Sequence, residues 1–190
     1  MQVKQKIISS KVVGPLKQLC SGLWKSKKIE VPFFDYQKFS VLFHFGRKDD
    51  INGFMPQADL ALTHFLQRTV EDRNAISEHV YKNCMGFLDG VVFVETDIPL
   101  RLIKDKNDIW KYIYPGGISI KRRDCSDGDI YVTAVCIGDW DKEYGHGLQF
   151  IFRQGKKITR ISDYDSHLTD ADAYDIPDEE DELLSAFHCD

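Results

Sequence analysis

Apolar and polar side chains alternate over residues 39–45, so that Phe39, Val41, Phe43 and Phe45 fall on one side. A period of two predicts a half-buried strand. Residues 29–34 read Ile-Glu-Val-Pro-Phe-Phe, and residues 35–38 suit a hairpin connection between the two runs, with Pro32 placing the first strand at an edge or a strand start. From residue 58 to 88 the period lengthens. Leu62, Leu66, Val70, Ile76, Val80, Cys84 and Leu88 recur mostly in steps of four, which predicts one helix with a break near Arg73-Asn74, or two abutting helices. Pro56 suits the first helical turn and Gly90 its stop. Residues 91–98 read as a short strand or an extended crossing. Asn107-Asp108 are placed to cap a short helix that Pro115-Gly116-Gly117 ends. Strand patterns then follow at 118–123, 130–137, 148–153 and 156–161, joined by turns at 125–128 and Gln154-Gly155. The fold class is α+β: an antiparallel β-meander with a long helix, or a helix pair, packed on one face.

Charge divides the chain into three parts. The 190 residues carry a net charge of −5, yet eleven acids and no Lys or Arg lie between Asp163 and Asp190. Seven lysines and no acid precede Glu30. We therefore expect a loosely docked basic arm over residues 1–28, a single domain over 29–169, and an acidic tail over 170–190. Such a tail either folds onto the basic body or is offered to a basic partner. With few apolar residues, mainly Ile176, Leu183, Leu184 and Phe187, it reads as dispensable for folding.

Several function classes lose support. No apolar run approaches the roughly 20 residues of a membrane span, and residues 1–11 lack the apolar core of a secretory signal. The expected location is the cytoplasm. The five cysteines are odd in number and never spaced C-x-x-C, so they read as free thiols, mostly in the core, and not as zinc ligands. Phosphate-binding glycine loops and the nucleophile elbow are absent. Basic and aromatic residues interleave at 110–114 and 121–123, but a pI of about 5.7 argues against nonspecific nucleic-acid binding. No cofactor is implied.

The densest polar cluster is Asp139-Trp140-Asp141-Lys142-Glu143-Tyr144-Gly145-His146-Gly147, between two meander strands. Trp140, Asp141, Glu143 and His146 are its candidate site residues, and Asp165 and His167, just after the next hairpin, are placed to approach the same sheet edge. Carboxylates and imidazoles in one loop suit acid–base or metal chemistry. The same residues also make a turn, with Asp and Glu accepting backbone N–H groups and Trp140 covering the sheet end. In the tail, Asp170, Asp172, Tyr174, Asp178 and Asp181 fall at calcium-loop spacing, but Asp175 stands where the sharp turn requires Gly and Asp181 where a bidentate Glu belongs. No metal site is expected.

One resemblance covers residues from about 10 to 169. Val31-Pro32-Phe33-Phe34-Asp35, the run from Arg73 to Cys84, and Ile109-Trp110-Lys111-Tyr112-Ile113-Tyr114-Pro115 are similar to a bacterial domain family of unknown function. The match continues through Trp140-Asp141-Lys142-Glu143, the run from His146 to Gly155, and Asp165-Ser166-His167-Leu168-Thr169. The family pattern there is W-x-x-E-H-G-L-Q-x-x-F-R-x-G, then D-G-H-L-T. This chain departs from it by inserting Tyr144-Gly145 between Glu143 and His146, and by placing Ser166 where the pattern has Gly. Related domains resemble small immunity-type proteins found with bacterial toxin systems. The acidic tail and the lack of a complete catalytic set point to a non-enzymatic binding protein with a protein partner, with an immunity-type inhibitor of a toxin as the form the resemblance suggests, and the tail acids Asp178, Glu179, Glu180, Asp181 and Glu182 point to a basic partner. The alternatives are a metal-dependent enzyme built on Glu143, His146, Asp165 and His167, and a housekeeping adaptor. Neither a nucleic-acid partner nor a membrane is expected, and the oligomeric state is not legible.

Overall fold

A computed structural model describes residues 8–92, 94–124 and 126–185. Eight strands form one sheet in sequence order: β1 (Ile8–Ser10), β2 (Gly14–Cys20), β3 (Leu23–Val31), β4 (Gln37–His44), β5 (Ile113–Arg122), β6 (Ile130–Gly138), β7 (Leu148–Arg153) and β8 (Lys157–Asp163). All neighbours are antiparallel except β4 and β5, which run parallel with Val41 opposite Ile118 and Phe43 opposite Ile120. The sheet is thus two four-stranded meanders joined at one parallel seam. A parallel pair needs a long crossover, and that crossover carries helices α1 (Ile51–Leu66), α2 (Val70–Asn74), α3 (Ser77–Gly90) and α4 (Ile98–Arg101). The α+β class and the β5–β6 and β7–β8 hairpins are as the sequence predicts, whereas the strand expected over 29–34 is only the end of β3, with Pro32–Phe34 in a 3-10 turn.

The core lies between the helices and one sheet face. Phe33, in a 3-10 turn over Pro32–Phe34, meets Phe34, Phe65, Phe152 and Trp110 at ring centroid distances of 5.0–6.1 Å. Phe39, Val41 and Phe43 point into this core from β4, as their alternation demands. The β7–β8 turn is wedged against α1. Gln154 N–H donates to the Ile130 carbonyl at 2.7 Å, and a Cβ on Gly155 would meet the Ala61 carbonyl oxygen at 1.9 Å, so only glycine fits there.

Helix details differ from expectation. α1 begins at Ile51, where Asp50 caps it by accepting from Gly53 N–H at 3.3 Å, and Pro56 sits inside the helix instead of opening it. The predicted break is a separate short helix, α2, capped by Thr69 and closed reciprocally by Asp72. The described residues of the 91–98 stretch do not pair into the sheet; they include a 3-10 turn (Glu95–Asp97) that leads into α4. The helix expected after Asn107 is a 3-10 stretch (Lys106–Tyr112) capped by Asp105, while Asn107 accepts from Ser77 Oγ at 2.9 Å. Cys84 and Cys136 are buried, with burial pushing the Cys84 thiol up to about 12, and Cys20 is exposed. Cys125 and Cys189 lie outside the described residues.

Two larger corrections concern the ends. The basic arm expected over residues 1–28 is, from Ile8 on, three paired strands of the sheet, with Ile8, Leu16 and Trp24 in the core. The acidic tail is docked as far as it is described. Leu168 joins Tyr131 and Ile151 in a second apolar cluster on the sheet face away from the helices. Ala171 of α5 (Asp170–Tyr174) and Leu184 of α6 (Glu182–Ser185) are also buried. Phe187 and Asp190 lie outside the described residues, as do residues 1–7.

Candidate functional site

The 139–147 turn is built around Asp141, whose side chain is 2% exposed. Its carboxylate accepts the backbone N–H groups of His146, at 3.3 Å, and Gly147, and lies 3.1 Å from His146 Nδ1. Its carbonyl accepts Tyr144 and Gly145 N–H. One buried carboxylate therefore folds the whole loop, as a satisfied buried charge must. Trp140 is 5% exposed, and its ring lies so close to Gly138 that an added Cβ would meet it at 2.6 Å. Trp140 is thus a packing anchor at the sheet end.

Glu143 and the His146 ring face outward. His146 lies almost parallel to Tyr144, with centroids 6.3 Å apart, and 6.1 Å from Phe87 of α3. A cleft of about 440 Å³ opens beside them, lined by Val91, Val92, Val94, Tyr112, Trp140 and Tyr144, with Asp139, Lys142 and Glu143 at its rim. Val92 is 83% and Val94 49% exposed, so this corner carries apolar surface that the fold leaves uncovered.

Asp165 and His167 belong elsewhere. Successive β7 side chains alternate between faces: Phe150 enters the main core under the helices, and Ile151 enters the second cluster on the other side. Gln149 shares the Ile151 face, and its amide donates to Asp165 at 2.8 Å. Arg160 Nη1 and Nη2 reach the same carboxylate at 2.6 and 2.8 Å, and His167 N–H donates to it at 3.0 Å. Partial burial works to raise the Asp165 carboxyl, but the bonds from Arg160 and His167 outweigh it and hold it well below the usual carboxylate range. His146 sits with α3 on the helical face. The four residues Glu143, His146, Asp165 and His167 therefore come to the same end of β7 and β8 but divide between the two faces of the sheet. Asp163 stands between the groups, its carboxyl raised by burial and by Asp141. Among the described residues no three His, Cys, Asp or Glu side chains are grouped to hold a metal ion.

The tail acids are spent in two ways. Arg123, with a side chain 5% exposed, binds Asp172 at 2.8 Å and Asp178 at 2.6 Å, and Arg160 binds Asp170 at 2.7 Å. Asp181 is 1% exposed and accepts Ala171 and Leu184 N–H at 3.0 and 2.9 Å. The calcium-spaced carboxylates are thus taken by arginines and backbone. Asp175, Glu179, Glu180 and Glu182 stay exposed at the surface. Sequence reasoning missed Arg123, Arg160 and Gln149. The Asp172 and Asp178 partners of Arg123 lie far away in the chain, while Arg160 and Gln149 reach Asp165 only because the chain turns back after β8.

A model for a domain of unknown function, DUF6985, matches residues 12–168. The chain belongs to the DUF6985 family. The matched span takes in β2 to β8 and Leu168, so seven of the eight strands, the helical crossover and the Asp165–His167 turn fall within the DUF6985 domain, with β1 before it and α5 and α6 beyond it. No curated protein and no solved structure matches the chain. No helix among the described residues is long and apolar enough to cross a membrane.

Proposed function

We propose that this DUF6985 protein acts by contact and not by turnover, as a non-catalytic binding protein of the cytoplasm. An immunity-type inhibitor of a bacterial toxin is the specific form that the sequence resemblance suggests. The observation that carries the reading is the fate of the candidate acid–base groups. Asp141 is saturated by its own turn and Asp165 by Arg160, Gln149 and His167, and the two stand on opposite faces of one strand pair. A reacting atom needs a nucleophile or metal, a base and a stabilising group within reach of one point, and the saturation of these two carboxylates on separate faces supports the contact reading.

The contact surface that fits best is the cleft beside the 139–144 turn. Its volume and aromatic lining suit an apolar side chain of a partner. The exposed acids Asp175, Glu179, Glu180 and Glu182 would speed association with a basic partner. Calorimetric titration with the protein encoded by a neighbouring gene tests this. Tyr144→Ala with Val92→Asp is expected to lower affinity at least tenfold, and neutralising the four exposed acids to slow association. Stoichiometric metal bound through Glu143 or His146, together with hydrolysis of a substrate, would overturn the reading.

A further inference from the structure

Between Lys11 and Lys28 the chain carries five lysines and no acid. β2 and β3 turn this composition into a surface. Trp24 and Leu16 point into the core, so Lys17 and Lys25 alternate to the outer face, where they stand directly opposite each other. Like charges in that position are destabilising. Beyond them β3 bulges: Ser26 and Lys27 together face the single residue Val41 of β4. Ser26 is buried and holds the bulge, its Oγ accepting Val41 N–H at 2.8 Å and donating to the Lys27 carbonyl at 2.6 Å. The bulge leaves Lys27 and Lys28 both exposed, and bulges commonly re-aim side chains in this way at functional surfaces. Lys17, Lys25, Lys27 and Lys28 make no ion pair among the described residues. The nearest acid on the hairpin, Glu30, is paired with Lys38 at 3.3 Å.

We propose that this hairpin face is a docking surface for the phosphate backbone of a nucleic acid, bound without reading bases. Protein–protein interfaces favour arginine and aromatic anchors and are depleted in lysine. Neither β2 nor β3 exposes an arginine or an aromatic ring, and Trp24 is buried. Lysine serves as a point charge for phosphate, and phosphate contacts position a protein without specifying sequence. Duplex DNA carries one charge per about 1.7 Å of axis, so four lysines on neighbouring strand positions meet several phosphates at once. The net charge of the whole chain conceals this surface. Much of the negative excess lies after Asp163, where Asp165, Asp170, Asp172 and Asp178 share the guanidiniums of Arg123 and Arg160, while Asp175, Glu179, Glu180 and Glu182 stay exposed. At physiological salt, charges more than about 8 Å away are largely screened.

Fluorescence anisotropy with labelled 20-nucleotide duplex and single-stranded DNA of random sequence tests the proposal. The intact chain is expected to bind duplex with a slope of log K against log salt of about −3 to −4, as four phosphate contacts require. The combined variant Lys17→Gln, Lys25→Gln, Lys27→Gln, Lys28→Gln is expected to lose at least tenfold in affinity at low salt and most of the slope. Its melting temperature should not fall, because the Lys17–Lys25 repulsion is gone, and that confirms an intact fold. No duplex binding at low salt, or equal binding by a folded quadruple variant, would overturn the proposal. So would binding to phosphatidylserine vesicles or polyglutamate with none to DNA.

Discussion

Arg123 holds Asp178 through two hydrogen bonds, Nη1 to Oδ2 at 2.8 Å and Nη2 to Oδ1 at 2.6 Å. The same guanidinium reaches Asp172, and Ser126 Oγ donates to Asp178 at 2.8 Å. Segments far apart in the chain are thus fastened on the sheet face away from the helices. Removing one partner of a buried pair strands the other, so Arg123→Ala should cost about 3 kcal/mol, the lower end of the buried-pair range because the aspartates are partly exposed. Deleting residues 170–190 should also lower the melting temperature, by uncovering Leu168 and the apolar face beneath it. Calorimetric melting checks both. An unchanged midpoint in the truncated chain would restore the view of the tail as dispensable.

Acid should loosen the same fastening. Asp165 is held low against its partial burial by Arg160 and His167, and Asp178 is held low chiefly by Arg123. A carboxyl depressed in the folded state stabilises fully above its unfolded value of about 3.9, and that contribution is lost as pH falls through the folded value. Melting temperature is therefore expected to be flat above about pH 5 and to fall below it. Asp165→Asn should lower the neutral plateau and flatten the acid limb. Asp163 works in the opposite sense. Its raised carboxyl opposes folding at neutral pH, so Asp163→Asn should raise the plateau slightly.

Trp140 and His146 should separate cleanly in a stability scan. Trp140→Ala empties a buried ring site and should cost about 3–5 kcal/mol, whereas His146→Ala alters an exposed ring and should leave the chemical-denaturation midpoint nearly unchanged. If His146→Ala proves the more damaging, the imidazole and not Asp141 organises the turn.

Gly155→Ala should destabilise by more than about 1 kcal/mol, because the residue sits at φ 67° and its Cβ would overlap the Ala61 carbonyl. Gly14→Ala, with φ 74° but nothing within 4 Å of its Cβ, carries the backbone strain without the clash and should cost less. Equal losses in urea melts would show that the contact with α1 yields freely.

The parts of the fold legible in the sequence are those written as a local period. Phe39, Val41 and Phe43 reveal β4, and the steps of four from Leu62 to Leu88 reveal the helices. β3 escaped because its bulge at Ser26-Lys27 breaks the alternation between Trp24 and Ile29, leaving what reads as a lysine-rich arm. β1 and β2 bury too few apolar residues, chiefly Ile8 and Leu16, to show a period. The parallel pairing of β4 with β5 is a long-range choice that no short window contains. At the candidate site, the proximity of the 139–147 turn to Asp165 and His167 was legible from the hairpin between them. Their separation to opposite faces depends on the pleat at Gln149 and Phe150, and on Arg160 claiming Asp165, neither of which spacing alone reveals.

The parallel seam has a consequence for how the molecule assembles in time. Each four-stranded half closes through short turns, so its pairings are local and rapid. The seam joins Val41, Leu42 and Phe43 to Ile118, Ser119 and Ile120 only after the helical crossover has brought them together, and closing so long a loop has an entropic cost that is not repaid until contact is made. The halves are therefore expected to form as separate kinetic units, with their late union setting the refolding rate. Weakening the seam with Ile118→Val should slow refolding, while an equal loss of stability placed in the second apolar cluster, as with Ile151→Val, should speed unfolding instead.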